Sequence, residues 1–400
     1  MKNKLIFEFS KNKTDGDSSL NNLLGGKGAN LAEMSNMEIP VPPGFTITTE
    51  VCNYFTENKN LPNSLDNEIR QAVSKLENLS DKCFGGVGTP LLLSVRSGGR
   101  VSMPGMMDSI LNIGLNDSNV SQLAEAFNDE RFALDSYRRL IQMYSNVVLG
   151  VEHERFEAVL ENKKRMDNVV SDADFNVDQL NWIINAYKNT VERFTDSLFP
   201  QEPYEQLTGA IEAVFNSWQN KRAATYRKIN NIPDSWGTGA TIQTMVFGNL
   251  NYKSGTGVAF TRNPSNGDKE LYGEYLINAQ GEDVVAGIRT PHPITNHSKV
   301  EQESLESKFP KAYKELLEIS TKLENHFKEA QDIEFTIENG VIYLLQTRTA
   351  KRTAQASVKI AIEMQKEGII TKEDALTMVD ANSITNLLHP QFTDSQKKEL

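Results

Sequence analysis

The feature that most limits the possible folds is a long helical stretch, residues 118–200, set between segments that favour β-strands. Glycine becomes rare in this stretch until Gly209. Its apolar residues recur at helical spacing, as in Tyr137, Leu140, Ile141, Tyr144 and Val148. A helical block inside a sheet-forming chain predicts two sheet-containing lobes with a helical excursion between them.

The chain has 400 residues, which is too long for one ordinary hydrophobic core and predicts two or three subdomains. The pattern changes suggest five segments: an N-terminal lobe, a helical insert, a C-terminal lobe, a helical linker and the start of a further domain. Their predicted bounds are 1–117, 118–200, 201–350, 351–385 and 386–400.

Short apolar runs between glycine- and proline-rich turns predict the individual elements. Strands are expected at 5–9, 45–48, 91–95, 240–246, 270–276, 333–337 and 341–345. Helices are expected at 28–37 and 356–366, and Thr371 is expected to cap another. Hairpin turns are expected at 255–257 and, from the pair Asn339-Gly340, between the last two strands.

Composition argues against nucleic-acid binding and is compatible with a small anionic ligand. The net charge is −11, whereas nucleic-acid binding needs a basic face. A phosphate ligand would therefore need a metal ion or a confined basic pocket. Cys52 and Cys83 are too isolated for a disulfide framework or a zinc site, and no apolar run of about 20 residues is present to span a bilayer. The N-terminus lacks the pattern of a signal peptide, so we expect a cytoplasmic protein without a membrane partner.

Two glycine-rich segments are candidates for binding phosphate. Residues 24–30, LGGKGAN, combine a flexible backbone with the charge of Lys27, although they are not a Walker P-loop and, taken alone, fit a surface turn better than a phosphate site. Residues 94–108, SVRSGGRVSMPGMMD, place Arg96 at the end of a buried strand. A mobile loop with Gly98, Ser102 and Gly105 follows, which suits a phosphate chain that is held and then released.

Acidic residues cluster in two later segments. Glu274 is predicted in a strand and Glu282 in the turn after it, within residues 272–283, YGEYLINAQGED. Asp332 and Glu334 are two apart in a predicted strand, so both carboxylates point to one face.

A cation would relieve the repulsion between these two carboxylates. Magnesium carrying nucleotide phosphates is such a cation, and Gln346 and Arg348 on the paired strand would reach the same place. A solvent-facing edge strand is the alternative interpretation of this segment. None of the 5 histidines lies in a small-residue context suited to a nucleophile.

Together, and in this order, the four segments resemble the N-terminal domain of pyruvate, phosphate dikinases. The resemblance runs from residue 24 to about residue 392. It implies an α+β fold of the ATP-grasp type, in which ATP and Mg²⁺ lie in a cleft between two sheet-containing lobes. It also implies that the loops at 98–105 and 255–257 close over the triphosphate.

The resemblance implies roles for the matching residues. Arg96 and Arg348 would be catalytic, and Glu334, Asp332 and Gln346 would hold the metal. The ATP contacts would come from Lys27, Arg96, Gly98, Ser102, Gly105, Gln243, Met245, Val246, Glu274, Glu282, Asp332, Gln346 and Arg348.

The implied reaction converts ATP, phosphate and pyruvate into AMP, pyrophosphate and phosphoenolpyruvate through a phosphohistidine on a swivelling domain. The TGGMTSH segment that carries this histidine is absent here, as is a pyruvate-binding half. Residues 386–400 then represent the start of a truncated phosphohistidine domain. A truncated chain or a naturally split enzyme fits this pattern, and the missing domains are expected partners in cis or in trans.

Three alternatives stay open at this point. A phosphoenolpyruvate synthase, which uses water in place of phosphate, shares the domain but resembles the SMPGMMD segment poorly. Drug-modifying phosphotransferases of similar architecture are disfavoured for the same reason. A non-catalytic ATP-binding module is the alternative from a different class, although the phosphate and metal residues are all present.

Overall fold

The computed structural model describes residues 4–287, 289–296 and 303–385. Contacts divide the chain into two compact units, Met1–Val246 and Phe247–Leu400. Each unit contains a five-stranded sheet in which all neighbouring strands are antiparallel. The predicted combination of two sheets with many helices is confirmed. The predicted start of a further domain at 386–400, together with His297 and His389, lies outside the described residues.

The sheet of the first unit has the order β1-β2-β5-β3-β4. Its strands are β1 (Ile6–Phe9), β2 (Gly44–Ile47), β3 (Leu93–Gly99), β4 (Ser109–Ile113) and β5 (Thr238–Thr244). The last strand in sequence lies in the middle of the sheet, and all its residues are buried. Helices α1 (Asn21–Asn36), α2 (Thr49–Asn58) and α3 (Leu65–Ser80) complete the part that precedes β3. The strands and the helix expected in this part are present.

The helical stretch predicted for residues 118–200 is also present. It consists of α4 (Val120–Phe127), α5 (Glu130–Val147), α6 (His153–Asp167) and α7 (Val177–Thr195). Inside it, the buried Asp135 accepts hydrogen bonds from Nε of Arg138 at 2.8 Å and Nε of Arg139 at 3.0 Å. Burial alone would raise the pKa of Asp135, but these two arginines hold it well below its usual range.

The boundary predicted at residue 201 differs from the observed division. Helices α8 (Pro203–Ser217) and α9 (Lys221–Ile229) precede β5, and α8 packs against β3, β4 and β5. Because β5 pairs with both β2 and β3, residues up to Val246 belong to the first unit.

The sheet of the second unit has the order β10-β9-β6-β7-β8. Its strands are β6 (Gly255–Phe260), β7 (Tyr272–Ile277), β8 (His292–Pro293), β9 (Gln331–Glu338) and β10 (Val341–Thr349). The predicted hairpin between β9 and β10 is confirmed, with positive φ at Asn339 and Gly340. Helix α10 (Gly281–Ala286) lies between β7 and β8 in the chain. Helices α11 (Leu305–Lys308) and α12 (Pro310–Phe327) follow β8, and α12 packs on β9 and β10.

The hairpin predicted at residues 255–257 is wrong, because these residues open strand β6. A Cβ atom on Gly257 would lie 2.6 Å from the carbonyl oxygen of Glu274 and 2.7 Å from the ring of Phe335. The glycine therefore permits close packing inside the sheet and does not form a turn.

Three helices end the described chain: α13 (Ala354–Lys366), α14 (Lys372–Thr377) and α15 (Ala381–Thr385). The predicted cap is confirmed, since Thr371 Oγ1 accepts from the backbone N–H of Asp374 at 3.0 Å. Arg262 is fully buried and bonds both Glu324 of α12 at 3.0 Å and Glu367, just after α13, at 2.8 Å. Helix α13 is thus fixed to the second unit. Among the described helices, none is both long enough and apolar enough to cross a membrane.

Candidate functional site

The two glycine-rich motifs meet in the first unit. Helix α1 is interrupted at Gly25, whose φ of 69° and ψ of 164° are not helical. A Cβ atom there would lie 1.8 Å from the carbonyl oxygen of Gly98, at the end of β3. Only glycine tolerates both this conformation and this approach. The sequence therefore places the backbone of residues 25–28 directly against that of Gly98.

Lys27 lies beside this contact, in the first turn after the interruption of α1. A Cβ atom on Gly98 would lie 3.2 Å from Cβ of Lys27 and 3.9 Å from the backbone N of Gly28. Backbone N–H groups at the start of a helical segment, next to a lysine, are suited to bind an anion. The structure thus brings together Lys27 and Gly98, which are far apart in sequence.

Arg96 enters the same region from β3. It is half-buried, and it lies opposite Thr241 of β5 and Ser109 of β4. Two residues further along, the backbone N–H of Gly98 donates to Thr238 Oγ1 at 3.1 Å. The interior position of β3 fixes the backbone of Arg96 on both sides.

The loop from residue 100 to residue 108 carries Ser102 and Gly105, which are both exposed. It contains a turn in which the N–H of Met106 donates to the carbonyl oxygen of Met103 at 3.2 Å. The end of the loop is held by α9, since Nη2 of Arg222 lies 3.6 Å from Oδ1 of Asp108. Burial raises the pKa of Asp108. The loop is therefore anchored at its end, with its exposed residues between.

The residues expected near adenine lie at the end of β5. Gln243 is buried, and its Nε2 donates to the carbonyl oxygen of Pro42 at 3.0 Å. Met245 and Val246 follow the strand and are half-buried. The Gln243 side chain thus stabilises the strand, and any nucleotide contact here falls to Met245 and Val246 or to backbone groups.

In the second unit, the predicted acidic residues form a row across the sheet. Glu274 of β7 pairs with Val258 of β6, Val258 with Glu334 of β9, and Glu334 with Gln346 of β10. Residues directly opposite each other share a face of an antiparallel sheet. Glu274, Glu334 and Gln346 therefore lie on one face, and none of the three is fully buried.

The neighbouring row on the same face contains the other two predicted residues. Asp332 of β9 lies opposite Arg348 of β10, and Arg348 Nε donates to Asp332 Oδ2 at 2.7 Å. Burial raises the pKa of Asp332, the nearby Glu334 raises it further, and Arg348 opposes both. Because β9 lies between β10 and β6, the alternative of a solvent-facing edge strand is excluded.

Glu282 lies apart from these rows, in the first turn of helix α10, so its prediction in a turn is corrected. The helix begins with a capping box in which Gln280 and Asp283 bond each other's backbone. Nε2 of Gln280 also donates to Asn249 Oδ1 at 3.0 Å. The capping box is local, which explains how a polar stretch read as a turn forms a short helix.

The oxygen ligands in the two rows fit magnesium. Carboxylates and amide oxygens are what Mg²⁺ prefers, and it usually completes its octahedral shell with water and nucleotide phosphates. Asp332, Glu334 and Gln346 supply such oxygens on one sheet face. Within the described ranges, no group of three or more His, Cys, Asp or Glu side chains is placed to hold a metal ion. A magnesium ion here would therefore need ligands beyond these side chains.

Two residues that stabilise the contact between the two glycine-rich motifs were not predicted from the sequence. Thr238 receives the hydrogen bond from Gly98, and Asn21 donates from Nδ2 to the carbonyl oxygen of Arg100 at 3.1 Å. Both contacts join segments that are distant in the chain, so no local spacing predicts them.

Comparison with known proteins shows the family of the chain. The family described as "Pyruvate phosphate dikinase, AMP/ATP-binding domain" matches residues 21–84, 57–313 and 295–369. The chain belongs to this family.

Relatives named pyruvate, phosphate dikinase match nearly the whole chain. That of Rickettsia prowazekii is 52% identical over 396 residues, which cover 98% of this chain and 44% of the relative. That of Clostridium symbiosum is 50% identical over 397 residues, covering 99% and 44%. That of Rhizobium meliloti is 49% identical over 402 residues, covering 99% and 45%. The chain thus spans less than half the length of these relatives.

Proposed function

We propose that this chain is the ATP-binding and phosphoryl-donating part of a pyruvate, phosphate dikinase, with the lobes of an ATP-grasp fold. The complete reaction would convert ATP, phosphate and pyruvate into AMP, pyrophosphate and phosphoenolpyruvate. The phosphohistidine and pyruvate-binding domains would act as partners, in cis or in trans, in the cytoplasm. The observation that supports this most is the row of Glu274, Glu334 and Gln346 next to the Asp332–Arg348 pair.

In this proposal the second unit binds the metal and one side of the triphosphate. Glu334, Asp332 and Gln346 would contribute oxygen ligands to Mg²⁺, whose charge offsets that of the phosphates. Arg348 bonds Asp332, and its side chain is about one-third exposed (35%), so its guanidinium would reach phosphate oxygens from the solvent side. Glu274 would extend the polar row towards the sugar or the metal-bound water.

The first unit would contribute positive charge and backbone donors. Lys27 and Arg96 would neutralise the negative charge that develops on the phosphates as the acceptor histidine bonds to the β-phosphorus and the bond from that phosphorus to the leaving AMP breaks. The backbone N–H groups near Gly98, with Ser102 and Gly105 in the loop, would position the triphosphate. Fixed donors need no reorganisation during the reaction, which is how such a site lowers the barrier.

The remaining predicted residues would select the nucleoside. Gln243, Met245 and Val246 would line the adenine through the end of β5, and Glu282 would contact the ribose side. The burial of the Gln243 side chain supports a backbone contact in preference to a side-chain contact there.

Calorimetric titration of Mg-ATP tests this assignment. Arg96→Ala and Glu334→Ala should each weaken binding by about 1.5–3 kcal/mol, the value of a lost charge-assisted hydrogen bond. Arg165→Ala on α6 and Glu318→Ala on α12 are matched controls, because both residues are exposed and lie outside the proposed site. Equal effects of the site and control variants, or no binding at all, would contradict the proposal.

A second experiment separates the alternatives. The chain is mixed with the phosphohistidine and pyruvate-binding domains of a relative, and AMP is measured with and without phosphate. Repeated AMP formation that requires phosphate and yields pyrophosphate supports the dikinase, which forms only the first equivalent of AMP before phosphate is needed. More than one equivalent of AMP per chain without added phosphate would indicate the synthase-type reaction that uses water. Mg-ATP binding without any phosphohistidine would indicate a non-catalytic module.

A further inference from the structure

The start of the loop at residues 100–108 is fixed by Asn21, which lies outside both glycine-rich motifs. Asn21, at the start of α1, donates from Nδ2 to the carbonyl oxygen of Arg100 at 3.1 Å. Arg100 directly follows β3, so this bond fixes the point where the strand becomes the loop. Its loss would free the loop at one end, because the other end is held separately through Asp108 and Met106.

The side chain of Arg100 is held by a different contact. Its guanidinium carbon lies 5.2 Å from the ring centroid of Trp236, a distance at which the cation is attracted by the ring. Its Nε is buried and has no hydrogen-bond partner among the described residues. Stacking on Trp236 is therefore the contact that keeps this part of the guanidinium in place.

Trp236 is itself fixed by the backbone around it. The backbone N–H of Trp236 donates to the carbonyl oxygen of Pro233 at 3.2 Å, and Gly237 follows with φ of 65°. A Cβ atom on Gly237 would lie 2.7 Å from Asn53 Oδ1, so the chain passes very close to α2 at this point. The backbone that carries the ring is therefore held directly before β5.

Asn21 and the backbone of Arg100 lie next to the turn that carries Lys27. A Cβ atom on Gly26 would lie 3.5 Å from the carbonyl oxygen of Gly99, 3.8 Å from that of Arg100 and 3.4 Å from Asn21 Oδ1. Movement of Arg100 would therefore displace the backbone on which the Lys27 turn packs. The two phosphate-binding segments share one base, formed by Asn21, Arg100 and Trp236.

We propose that Asn21 and Trp236 are positioning residues for the phosphate-binding loop. They fix Arg100 and thereby set the affinity for the outer phosphates of the nucleotide, while leaving the contacts to adenosine unchanged. The inference rests on the proposed function, because it assumes that this loop binds the polyphosphate.

The test compares Mg-ATP with AMP, which lacks the outer phosphates, in calorimetric titrations of the whole chain. Asn21→Ala and Trp236→Leu should each raise the Kd for Mg-ATP about tenfold, which corresponds to about 1.4 kcal/mol, and the Kd for AMP less than about twofold. Trp236→Phe keeps an aromatic ring for stacking and should restore most of the affinity. Asn22→Ala is the matched control, since Asn22 is the exposed neighbour of Asn21 in the same helix.

Hydrogen exchange of the free protein gives a readout that needs no nucleotide. Asn21→Ala should accelerate exchange in a peptide covering residues 100–108, whereas Asn22→Ala should not. Unchanged exchange together with an unchanged Kd for Mg-ATP would overturn the inference, and so would an equal loss of ATP and AMP binding. If the unmodified chain binds ATP but these variants behave like the control, the inference fails and the proposed function stands. If the unmodified chain binds no nucleotide, both fail.

Discussion

Arg348 and Asp332 lie directly opposite each other on β10 and β9, and Arg348 Nε donates to Asp332 Oδ2 at 2.7 Å. The carboxylate is buried, with only 6% of its residue surface exposed, whereas the arginine reaches solvent. Asp332 is thus a buried charge that is stabilised mainly by Arg348, with a smaller contribution from Lys351. Removing Arg348 leaves a desolvated carboxylate beside Glu334.

The first prediction concerns this dependence. Arg348→Ala should lower the free energy of unfolding by about 1–3 kcal/mol at pH 7, because Asp332 loses its hydrogen bond. The pKa of Asp332 is already raised above its unfolded value, so its ionised form destabilises the fold, and this cost appears as the pH rises through the folded-state pKa. The decrease in the free energy of unfolding caused by Arg348→Ala should therefore be smaller at pH 4. Urea unfolding followed by circular dichroism measures it.

The double variant Arg348→Ala/Asp332→Asn is the control for this prediction. It removes the charge as well as its partner and should recover most of the lost stability at pH 7. A double variant as unstable as Arg348→Ala alone would show that the pair contributes nothing through charge.

A second prediction concerns the contact between Gly25 and Gly98. Gly25→Ala should cost more than about 3 kcal/mol, because the new Cβ meets a backbone carbonyl at 1.8 Å in a conformation that L residues avoid. Gly150→Ala is the matched control, since Gly150 also has positive φ but has nothing within 4 Å of its Cβ position. All 3 tryptophans lie in the first unit, so their fluorescence reports its unfolding in urea. Similar losses in both variants would argue against a close contact.

The third prediction concerns acid stability. The pKa of Asp135 is depressed by Arg138 and Arg139, so the ionised carboxylate stabilises the fold above pH ~4, and this contribution is lost as the pH falls through the folded-state pKa. Asp135→Asn should cost about 3–5 kcal/mol at pH 7, because it leaves a buried arginine without its charge partner. The difference from the unmodified chain should narrow as the pH falls below ~4, because the unfolded reference protein then gains a proton on Asp135 that the folded protein does not. Tryptophan fluorescence in urea at several pH values checks this.

Asp178→Asn serves as the control for that series, since Asp178 is exposed on α7. It should change the free energy of unfolding by less than about 0.5 kcal/mol at each pH. A pH-independent loss for Asp135→Asn would show that packing, and not charge, accounts for its effect.

The fourth prediction concerns the attachment of α13. Arg262→Met should destabilise the second unit by about 3–5 kcal/mol, because Glu324 would remain buried without a cation. Lys269→Met, which removes only the exposed partner of Glu367, should cost less than about 1 kcal/mol. Thermal unfolding by circular dichroism compares the two variants. Equal effects would mean that the buried arginine is no more important than a surface ion pair.

Sequence alternation would misplace part of β10. Counted from Ile342 and Leu344, which are buried, strict alternation puts Gln346 and Arg348 on the same buried face. A bulge between Leu344 and Gln346 changes the phase, so that Gln346 lies opposite Glu334 and Arg348 opposite Asp332. The choice of residues was predictable from their chemistry, but the bulge that brings them to the polar face depends on pairing with β9.

The first unit also shows that local sequence patterns do not predict contacts between distant segments. Short local patterns correctly predicted strands β1, β2, β3 and β5 and the helical stretch between residues 118 and 200, but not strand β4. They assigned β5 to the second lobe, because nothing local indicates that residues 238–244 fit between β2 and β3. The contact of Gly25 with Gly98 was likewise invisible, although each glycine-rich motif was recognised by itself.

The central position of β5 has a consequence for synthesis on the ribosome. Strands β2 and β3 emerge early, but the strand that joins them is completed only at Thr244. Until then each of them has an unpaired edge that is open to pairing with other chains. Helices α4 to α9 are translated within this interval and gain stability from local contacts. The nascent first unit is therefore expected to need a chaperone, or fast translation through β5, more than the second unit does.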